Sequence, residues 1–239
     1  MVSILRKAAV GLVGVLAVGC GASDAAVPSE STATTTLDII AVGDSITAGP
    51  YYRLPLLRAV VEAGCPVDFV GTFNGVGETV PDDAALLDLD HQALGGATSE
   101  EVRTPFNEWI RELEPDVALV YLGTNDLYAS VERDATIENI EAIIGELRGR
   151  NPSVTILLAQ ILPSDSVEDS AADLNAHIAL LAERLDTSAS MVISVDMAEG
   201  VDVETDLIDG VHPNESLSEE MADRWIDALR GVLGTRCSL

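Results

Sequence analysis

Hydrophobic residues along the chain fall into five short runs, which are separated by segments with helical periodicity. A short continuous apolar run is typical of a strand buried on both faces, and apolar residues spaced three to four apart are typical of an amphipathic helix. Buried strands that alternate with helices predict a parallel α/β sheet. The predicted strands are Leu37–Val42, Val67–Val70, Val117–Leu122, Val154–Ala159 and Met191–Val195, and the predicted helices are Arg53–Ala63, Glu100–Leu113, Ile137–Leu147, Ser166–Leu185 and Glu219–Leu233.

A serine follows the first predicted strand, in the stretch V-G-D-S-I-T-A-G at residues 42–49. Parallel α/β sheets bind ligands beyond the carboxyl ends of their strands, so Ser45 stands where a catalytic nucleophile would be useful. The alternative is an ordinary turn, because glycine, aspartate and serine are common turn residues. The nucleophile hypothesis requires a base, a group that orients the base, and donors for an oxyanion.

A carboxylate and an imidazole stand three residues apart in D-G-V-H-P, residues 209–213, before the last predicted helix. This spacing lets Asp209 accept a hydrogen bond from Nδ1 of His212, which leaves Nε2 free to act as a base. Taken alone, the motif is better explained as a turn that starts a helix.

Two further stretches supply candidate donors for an oxyanion. G-T-N-D, residues 123–126, follows a predicted strand and places the neutral amide of Asn125 at the same edge of the sheet as Ser45. In H-Q-A-L-G-G-A-T, residues 91–98, Gly96 would let its backbone N–H approach a developing negative charge. The N–H of Ser45 is a third candidate. The alternatives are an Asn-Asp turn and a flexible loop glycine.

Taken together, these four stretches resemble, in the same order, the four sequence blocks of the SGNH (GDSL-type) hydrolase family. The resemblance implies that Ser45 is the nucleophile, His212 the base and Asp209 the group that orients it. It implies an oxyanion hole formed by Gly96, Asn125 and the Ser45 N–H. It also implies a three-layer α/β/α sandwich with a five-stranded parallel sheet, of flavodoxin-like type, and a reaction that needs no metal or other cofactor.

A finer resemblance points to one branch of that family, over about residues 38–235. V-D-F-V-G-T (67–72), D-H-Q-A-L-G-G-A-T (90–98) and Y-Y-R (51–53) are similar to carbohydrate esterase family 3, the acetylxylan-esterase branch. That branch usually has Glu-Gly-His-Ser-Gly-Trp where this chain has Q-A-L-G-G-A, residues 92–97. The difference removes a tryptophan and a histidine from the cleft, which bears on xylan recognition and not on acyl transfer.

The expected function is hydrolysis of short-chain esters, acetyl esters above all, of a carbohydrate or another polar alcohol. Catalysis would proceed through an acyl-enzyme, and activity should fall as acid protonates His212. A lipase, a thioesterase or a peptidoglycan O-acetyl esterase of the same family are alternatives, and so is a surface module that binds glycans without turnover. The low aromatic content, 4%, and an acidic loop beside the site favour a polar substrate over a lipid.

The first 36 residues predict export rather than a folded domain. Two basic residues precede an uncharged, mostly apolar run that is too short to span a bilayer, and the small residues before Cys20 resemble a bacterial lipobox. A cell-envelope lipoprotein with a lipidated Cys20 is therefore expected, and the alternative is secretion after cleavage near Ala22 or Ala26. The predicted segments are a lipoprotein signal peptide at 1–19, a Ser/Thr/Ala-rich tether at 20–36 and the hydrolase domain at 37–239.

The charge of the chain limits its partners. The 239 residues include 13 basic and 40 acidic side chains, for a formal net charge of −27. Such a surface repels nucleic acid and anionic lipid. The expected partner is a small-molecule or glycan ester, with no nucleic acid, membrane contact through the lipid anchor alone, and a monomeric state.

Several side chains keep two interpretations each. Cys65 and Cys237 are either a disulfide or two free thiols. His91 either shapes the Gly96 loop or is structural, and Tyr51 either stacks on substrate or packs. An acidic cluster is more simply a solvated loop than a Ca²⁺ site; its members are Asp82, Asp83, Asp88 and Asp90.

Overall fold

The computed structural model describes residues 36–77, 82–237 and 239, and these contain a central sheet flanked by helices. The predicted signal peptide, Cys20 and all but the last residue of the predicted tether lie outside the described residues, so those assignments stay predictions. Within the part of the chain that is described, no helix combines the length and apolar character needed to cross a membrane.

Within the described residues, seven strands form the sheet, and all but one of their pairings are parallel. The spatial order is β3-β4-β1-β5-β6-β7, and β2 also pairs with β1, along its first half. The antiparallel pair is β3 with β4. The strands are β1 (Leu37–Gly43), β2 (Val67–Val70), β3 (Phe73–Asn74), β4 (Asp90–Ala93), β5 (Val117–Tyr121), β6 (Thr155–Gln160) and β7 (Val192–Asp196).

All five predicted strands are confirmed, but the expected strand count of five is wrong. The two additional strands are β3 and β4. Strand β3 precedes the segment 82–90, whose acidic side chains predicted a solvated loop, and β4 begins at the last residue of that segment, Asp90. Strand β4 reads D-H-Q-A and carries no apolar pattern, so its sequence does not indicate a strand. It forms because it pairs with the end of β1, where Gln92 lies opposite Val42.

The helices pack in two groups against the sheet: α2 with α8, and α3 with α5 and α6. Such layers on a parallel sheet give the α/β/α sandwich that the sequence predicts. A short 3₁₀ turn covers Ala84–Leu86. The helices are α1 (Ser45–Ala48), α2 (Arg53–Glu62), α3 (Ser99–Trp109), α4 (Thr124–Tyr128), α5 (Arg133–Arg150), α6 (Glu168–Leu185), α7 (Val203–Asp206) and α8 (Glu215–Leu233).

The central strands of the sheet contribute much of the hydrophobic core. Every residue of β5 is buried, and so are Ile39 and Ile40 of β1 and Leu157 of β6. Each fully buried aliphatic side chain of this kind contributes about 1.5–3 kcal/mol to folding. The strands are therefore rigid supports, and the loops at their carboxyl ends are held in place by the core.

The two cysteines of the described domain form a disulfide. Cys65 and Cys237 are bonded across 172 positions of sequence, with their Cα atoms 5.0 Å apart. Cys65 precedes β2, at the amino end of the sheet, so the bond joins the C-terminal segment to the end opposite Ser45. This decides between the two alternatives that the sequence left open.

Candidate active site

Ser45 lies directly beyond the carboxyl end of β1, as the first residue of α1. The turn before it requires a glycine, because a Cβ on Gly43 would lie 2.1 Å from Oγ1 of Thr47 and 2.7 Å from the carbonyl oxygen of Tyr121. The carboxylate of Asp44 accepts a hydrogen bond from the Ile46 N–H at 3.0 Å and so caps the short helix. The G-D-S sequence thus turns the chain sharply and leaves Ser45 partly exposed.

His212 and Asp209 lie in the loop between α7 and α8, and local hydrogen bonds shape that loop. Oδ1 of Asp209 accepts from the backbone N–H groups of Val211 at 3.1 Å and His212 at 2.8 Å. The Ile208 N–H donates to the carbonyl oxygen of His212 at 2.8 Å, which closes the turn. These contacts form within a few residues, and the Asp165 N–H adds a bond from outside the loop, to the carbonyl oxygen of Gly210 at 2.8 Å.

The structure brings the three predicted residues into one hydrogen-bonded series. Nε2 of His212 is 2.9 Å from Oγ of Ser45, although the two residues are 167 positions apart. Nδ1 of His212 is 2.8 Å from Oδ2 of Asp209. An ionised carboxylate can only accept, so the neutral ring is assigned the Nδ1–H tautomer, and Nε2 accepts the hydrogen bond of the Ser45 hydroxyl.

Charge and stacking hold the imidazole in this orientation. Partial burial alone would raise the pKa of Asp209, but hydrogen bonds from the backbone and ring of His212 outweigh it and lower the pKa, so the carboxylate stays ionised. The ring of Tyr51 stacks on the ring of His212, with centroids 5.3 Å apart and planes 19° from parallel. The sequence left the role of Tyr51 open, and in the structure it forms one wall beside His212.

Asn125 lies at the end of β5, at the start of α4, on the same edge of the sheet as Ser45. Its side-chain amide donates to Oδ2 of Asp44 at 3.3 Å and to the carbonyl oxygen of Ala97 at 3.1 Å. Gly96 is exposed and has φ +75°, a conformation that favours glycine. The amide of Asn125 therefore contacts both the Ser45 turn and the loop that carries Gly96.

Asp44 is fully buried, and sequence reasoning assigned it no role. Burial raises its pKa to about 7, against the opposing effects of the Ile46 backbone N–H and the nearby His212. A carboxyl group in this position is half protonated near neutral pH. Its two oxygens face Ile46 and Asn125, so it links the nucleophile turn to the Asn125 loop.

Asp126 is a second buried carboxylate whose importance the sequence did not show. It accepts hydrogen bonds from the N–H of Ser99 at 2.8 Å, the hydroxyl of Ser99 at 2.5 Å and the hydroxyl of Thr136 at 3.1 Å. Ser99 is the first residue of α3, and the N-cap is Thr98, which forms a capping box with Glu101. Asp126 thereby ties the end of the Gly96 loop to α4; its position next to Asn125 in G-T-N-D was the one available signal.

A cavity of about 690 Å³ opens beside Ser45. Tyr51, Phe73 and His91 contribute aromatic walls, and the loop 73–77 and Gly95 line the rest. On the other side of Tyr51 lies a second cavity of about 350 Å³, lined mainly by apolar side chains such as Leu54 and Ile208. Tyr51 and Pro50 line both cavities.

Three of the four acidic side chains in the segment 82–90 have protein partners, and one of them, Asp90, accepts a hydrogen bond from the side-chain amide of Asn74. Asp83 forms an ion pair with Arg58 at 2.7 Å, and Asp88 accepts from the backbone N–H groups of Phe69 and Asp90. Across the described ranges, no three His, Cys, Asp or Glu side chains are arranged to hold a metal ion.

A parallel α/β sandwich with a serine, a histidine and an aspartate hydrogen-bonded at the carboxyl edge of its sheet has the architecture of the SGNH hydrolases. The sequence model of the GDSL-like Lipase/Acylhydrolase family matches residues 41–218, and the chain belongs to this family. It is therefore a member of a class of carboxylic ester hydrolases.

Relatives of known name lie within the same class. A multidomain esterase of Ruminococcus flavefaciens is 28% identical over an alignment of 236 positions, and the alignment covers 86% of this chain. This chain spans 30% of the length of that esterase. The family match confirms the resemblance to SGNH hydrolases. Two solved structures confirm the resemblance to the carbohydrate esterase family 3 branch.

Two solved structures of carbohydrate esterase family 3 share the fold. One from Talaromyces cellulolyticus is 25% identical, with a TM-score of 0.75, and the similarity covers 82% of this chain and 98% of that one. One from Clostridium thermocellum is 27% identical, with a TM-score of 0.67, and covers 84% of this chain and 100% of that one.

Proposed function

We propose that the protein is a serine esterase that hydrolyses short-chain esters, acetyl esters above all, of a carbohydrate or another polar alcohol. The observation that carries this proposal is the series of hydrogen bonds from Ser45 through His212 to Asp209, at 2.9 and 2.8 Å, beside an open cavity. Such a series supplies a nucleophile, a base and a group that orients the base.

In the proposed reaction, Nε2 of His212 takes the proton of the Ser45 hydroxyl while Oγ forms a bond to the ester carbonyl carbon. The carbonyl π pair moves onto oxygen and gives a tetrahedral oxyanion. When the oxyanion collapses, the carbon–alcohol oxygen bond breaks, and the alcohol leaves with the proton from His212. Water then attacks the acyl-enzyme in the same way, releasing the acid and restoring Ser45. No metal or other cofactor takes part in these steps.

The proposed oxyanion donors are the backbone N–H groups of Ser45 and Gly96 and the side-chain amide of Asn125. The contact of that amide with Asp44, 3.3 Å, is at the long end for a hydrogen bond. The amide can therefore share this N–H with an oxyanion while its shorter bond to Ala97 holds it in place. Donors held in position before the reaction stabilise developing charge without a reorganisation cost.

The proposed substrate class rests on the cavity and on the relatives. Polar groups and glycines line much of the cavity beside Ser45, which suits a polar alcohol. Two structures with the same fold are carbohydrate esterases of family 3. The chain lacks the tryptophan that this family usually places near the cavity, since Ala97 stands there.

Hydrolysis of p-nitrophenyl esters from C2 to C12 by the purified chain and by Ser45→Ala tests the proposal. Activity confined to C2–C4, and lost in the variant, would support a serine acetylesterase. Unchanged turnover in Ser45→Ala would refute the assignment of the nucleophile. No hydrolysis at any length by the folded protein would favour the non-catalytic, glycan-binding alternative.

One observation favours a second candidate, a lipase or thioesterase of the same family. The apolar cavity of about 350 Å³ next to Tyr51 could receive a longer acyl chain that extends from Ser45 past that ring. An optimum at C8–C12 would support this candidate. Replacing Ile208, which is exposed in the wall of this cavity, by serine should then lower activity on long esters and leave C2 unchanged.

We also propose that the enzyme is monomeric and that it is a cell-envelope lipoprotein anchored through Cys20. The short apolar leader and the lipobox-like sequence support the lipid anchor. Palmitate labelling of the chain expressed in a bacterium, compared with Cys20→Ser, tests it. Label present in the wild type and lost in the variant is the expected result. An unlabelled chain in the culture medium would support secretion instead.

A further inference from the structure

His91 is a buried imidazole in the wall of the cavity beside Ser45, and the proposed reaction gives it no role. It lies on β4 with 5% of its surface exposed. One ring face packs on Phe73, with centroids 5.9 Å apart. Any ring of similar size could fill the same space. What distinguishes a histidine here is the hydrogen bonding of its two ring nitrogens.

The two ring nitrogens have different surroundings. Nδ1 accepts a hydrogen bond from the Ala93 N–H at 3.1 Å, so in the neutral ring the proton is on Nε2. Among the described residues, no group accepts a hydrogen bond from Nε2. His91 lines the cavity beside Ser45.

The ring is kept uncharged by its surroundings. Burial, and then the positive charge of Arg53, lower the pKa of His91 to about 3. Arg53 is itself buried beneath the cavity, where its guanidinium donates to the carbonyl oxygens of Leu89 and Gly75. His91 therefore presents a neutral N–H donor to the cavity at any pH at which an esterase would be assayed.

The size of the cavity indicates which part of a substrate meets this donor. An acetyl group has only three heavy atoms, whereas a cavity of about 690 Å³ is in the range that holds a ligand of drug size. If the acyl group is short, as proposed above, the alcohol part of the ester must occupy most of this space. Carbohydrates present hydroxyl and ring oxygens that accept hydrogen bonds.

We propose that His91 is a specificity-determining residue that donates its Nε2–H to an oxygen of the alcohol part of the substrate. The inference rests on the proposed esterase function and goes beyond it, because it names the group that distinguishes a carbohydrate ester from an apolar one. The donor lowers the free energy of the bound carbohydrate ester and contributes nothing to an alcohol that lacks an acceptor.

Two variants separate this role from a structural one. An asparagine at position 91 can place Oδ1 near the position of Nδ1, where it accepts from the Ala93 N–H, but it has no group at the position of Nε2. A glutamine places its side-chain N–H near the position of Nε2 and lacks the acceptor for Ala93. His91→Asn thus removes the proposed function and keeps the structural contact, and His91→Gln does the reverse.

Two acetyl esters serve as probes: methyl 2-O-acetyl-β-D-xylopyranoside, and phenyl acetate, whose alcohol has no acceptor besides the ester oxygen. The measured quantity is the ratio of kcat/KM for the xyloside to kcat/KM for phenyl acetate. His91→Asn should lower this ratio about 5- to 10-fold, mainly through KM, as expected for one lost neutral hydrogen bond. His91→Gln should keep the ratio within about twofold of the wild type.

Several results would overturn the inference. One is a normal ratio in His91→Asn, and another is a loss in His91→Gln alone, which would show that the contact with Ala93 is what matters. An equal loss on both esters would also refute it. A wild type that cleaves phenyl acetate but not the xyloside would refute this inference and leave the esterase function standing, whereas a wild type that cleaves neither, nor any p-nitrophenyl ester, would remove both.

Discussion

Replacing Asp209 by asparagine tests how much the orienting carboxylate contributes in this site. The asparagine Oδ1 can still accept from the N–H groups of Val211 and His212, so the turn should keep its shape. The substitution alters the other contact, in which Oδ2 of Asp209 lies 2.8 Å from Nδ1 of His212. There the amide N–H faces Nδ1, which favours the tautomer that carries its proton on Nε2 and cannot accept the proton of Ser45.

The expected loss of kcat depends on the strength of this hydrogen bond and on its exposure to water. A hydrogen bond to a charged group is worth about 1.5–3 kcal/mol, which corresponds to about a 10- to 160-fold loss of kcat. In serine protease triads with a buried aspartate the same substitution lowers kcat about 10⁴-fold. The side chain of Asp209 is 56% exposed, so water can hydrate the ring nitrogen and the smaller loss is expected here.

The assay is kcat and KM for p-nitrophenyl acetate between pH 5 and 9, with thermal unfolding as a check of the fold. Asp173→Asn is the matched control, because that side chain is 54% exposed, forms an ion pair with Arg133 and lies 3.7 Å from Nδ1 of His177. The control should retain full activity. A kcat for Asp209→Asn within twofold of the wild type would show that Asp209 does not orient His212, and a loss near 10⁴ would show that exposure does not weaken the effect.

Three further predictions concern the oxyanion donor, a buried carboxyl group and the disulfide. Asn125→Ala should lower kcat about 10²–10³-fold with the protein still folded, and near wild-type turnover would contradict the assignment. Because burial raises the pKa of Asp44 to about 7, its contribution to stability is complete below about pH 4 and is lost as pH rises through 7. Chemical unfolding at pH 4.5 and 7.5 should show a loss of about 3 kcal/mol in the wild type relative to Asp44→Asn, and equal pH dependence would refute it. Replacing Cys65 and Cys237 by serine should lower the free energy of unfolding by about 2–5 kcal/mol with kcat unchanged, since the bond closes a long loop at the end opposite Ser45, and unaltered stability in urea would contradict this.

Much of the fold could be predicted because local patterns of apolar and polar residues indicate its strands and helices. Strands buried on both faces, such as β5, need continuous apolar runs, and such runs are visible without knowledge of their partners. Strand β4 could not be predicted in the same way, since its polar residues become buried where it pairs with two other strands, β1 and β3. The pairing of Cys65 with Cys237 likewise depends on where two distant segments meet.

The sequence alone determined the kinds of chemical group at the carboxyl edge of the sheet and the local turn in which Asp209 accepts from His212, because both arise within a few residues. Only the tertiary structure decided that His212 reaches Ser45, and that the buried Asp126 ties the Gly96 loop to the Asn125 loop. It also decided that His91, which no local pattern distinguished, lines the cavity. These are contacts between segments far apart in the chain, and such contacts depend on the packing of the whole sheet and its helices.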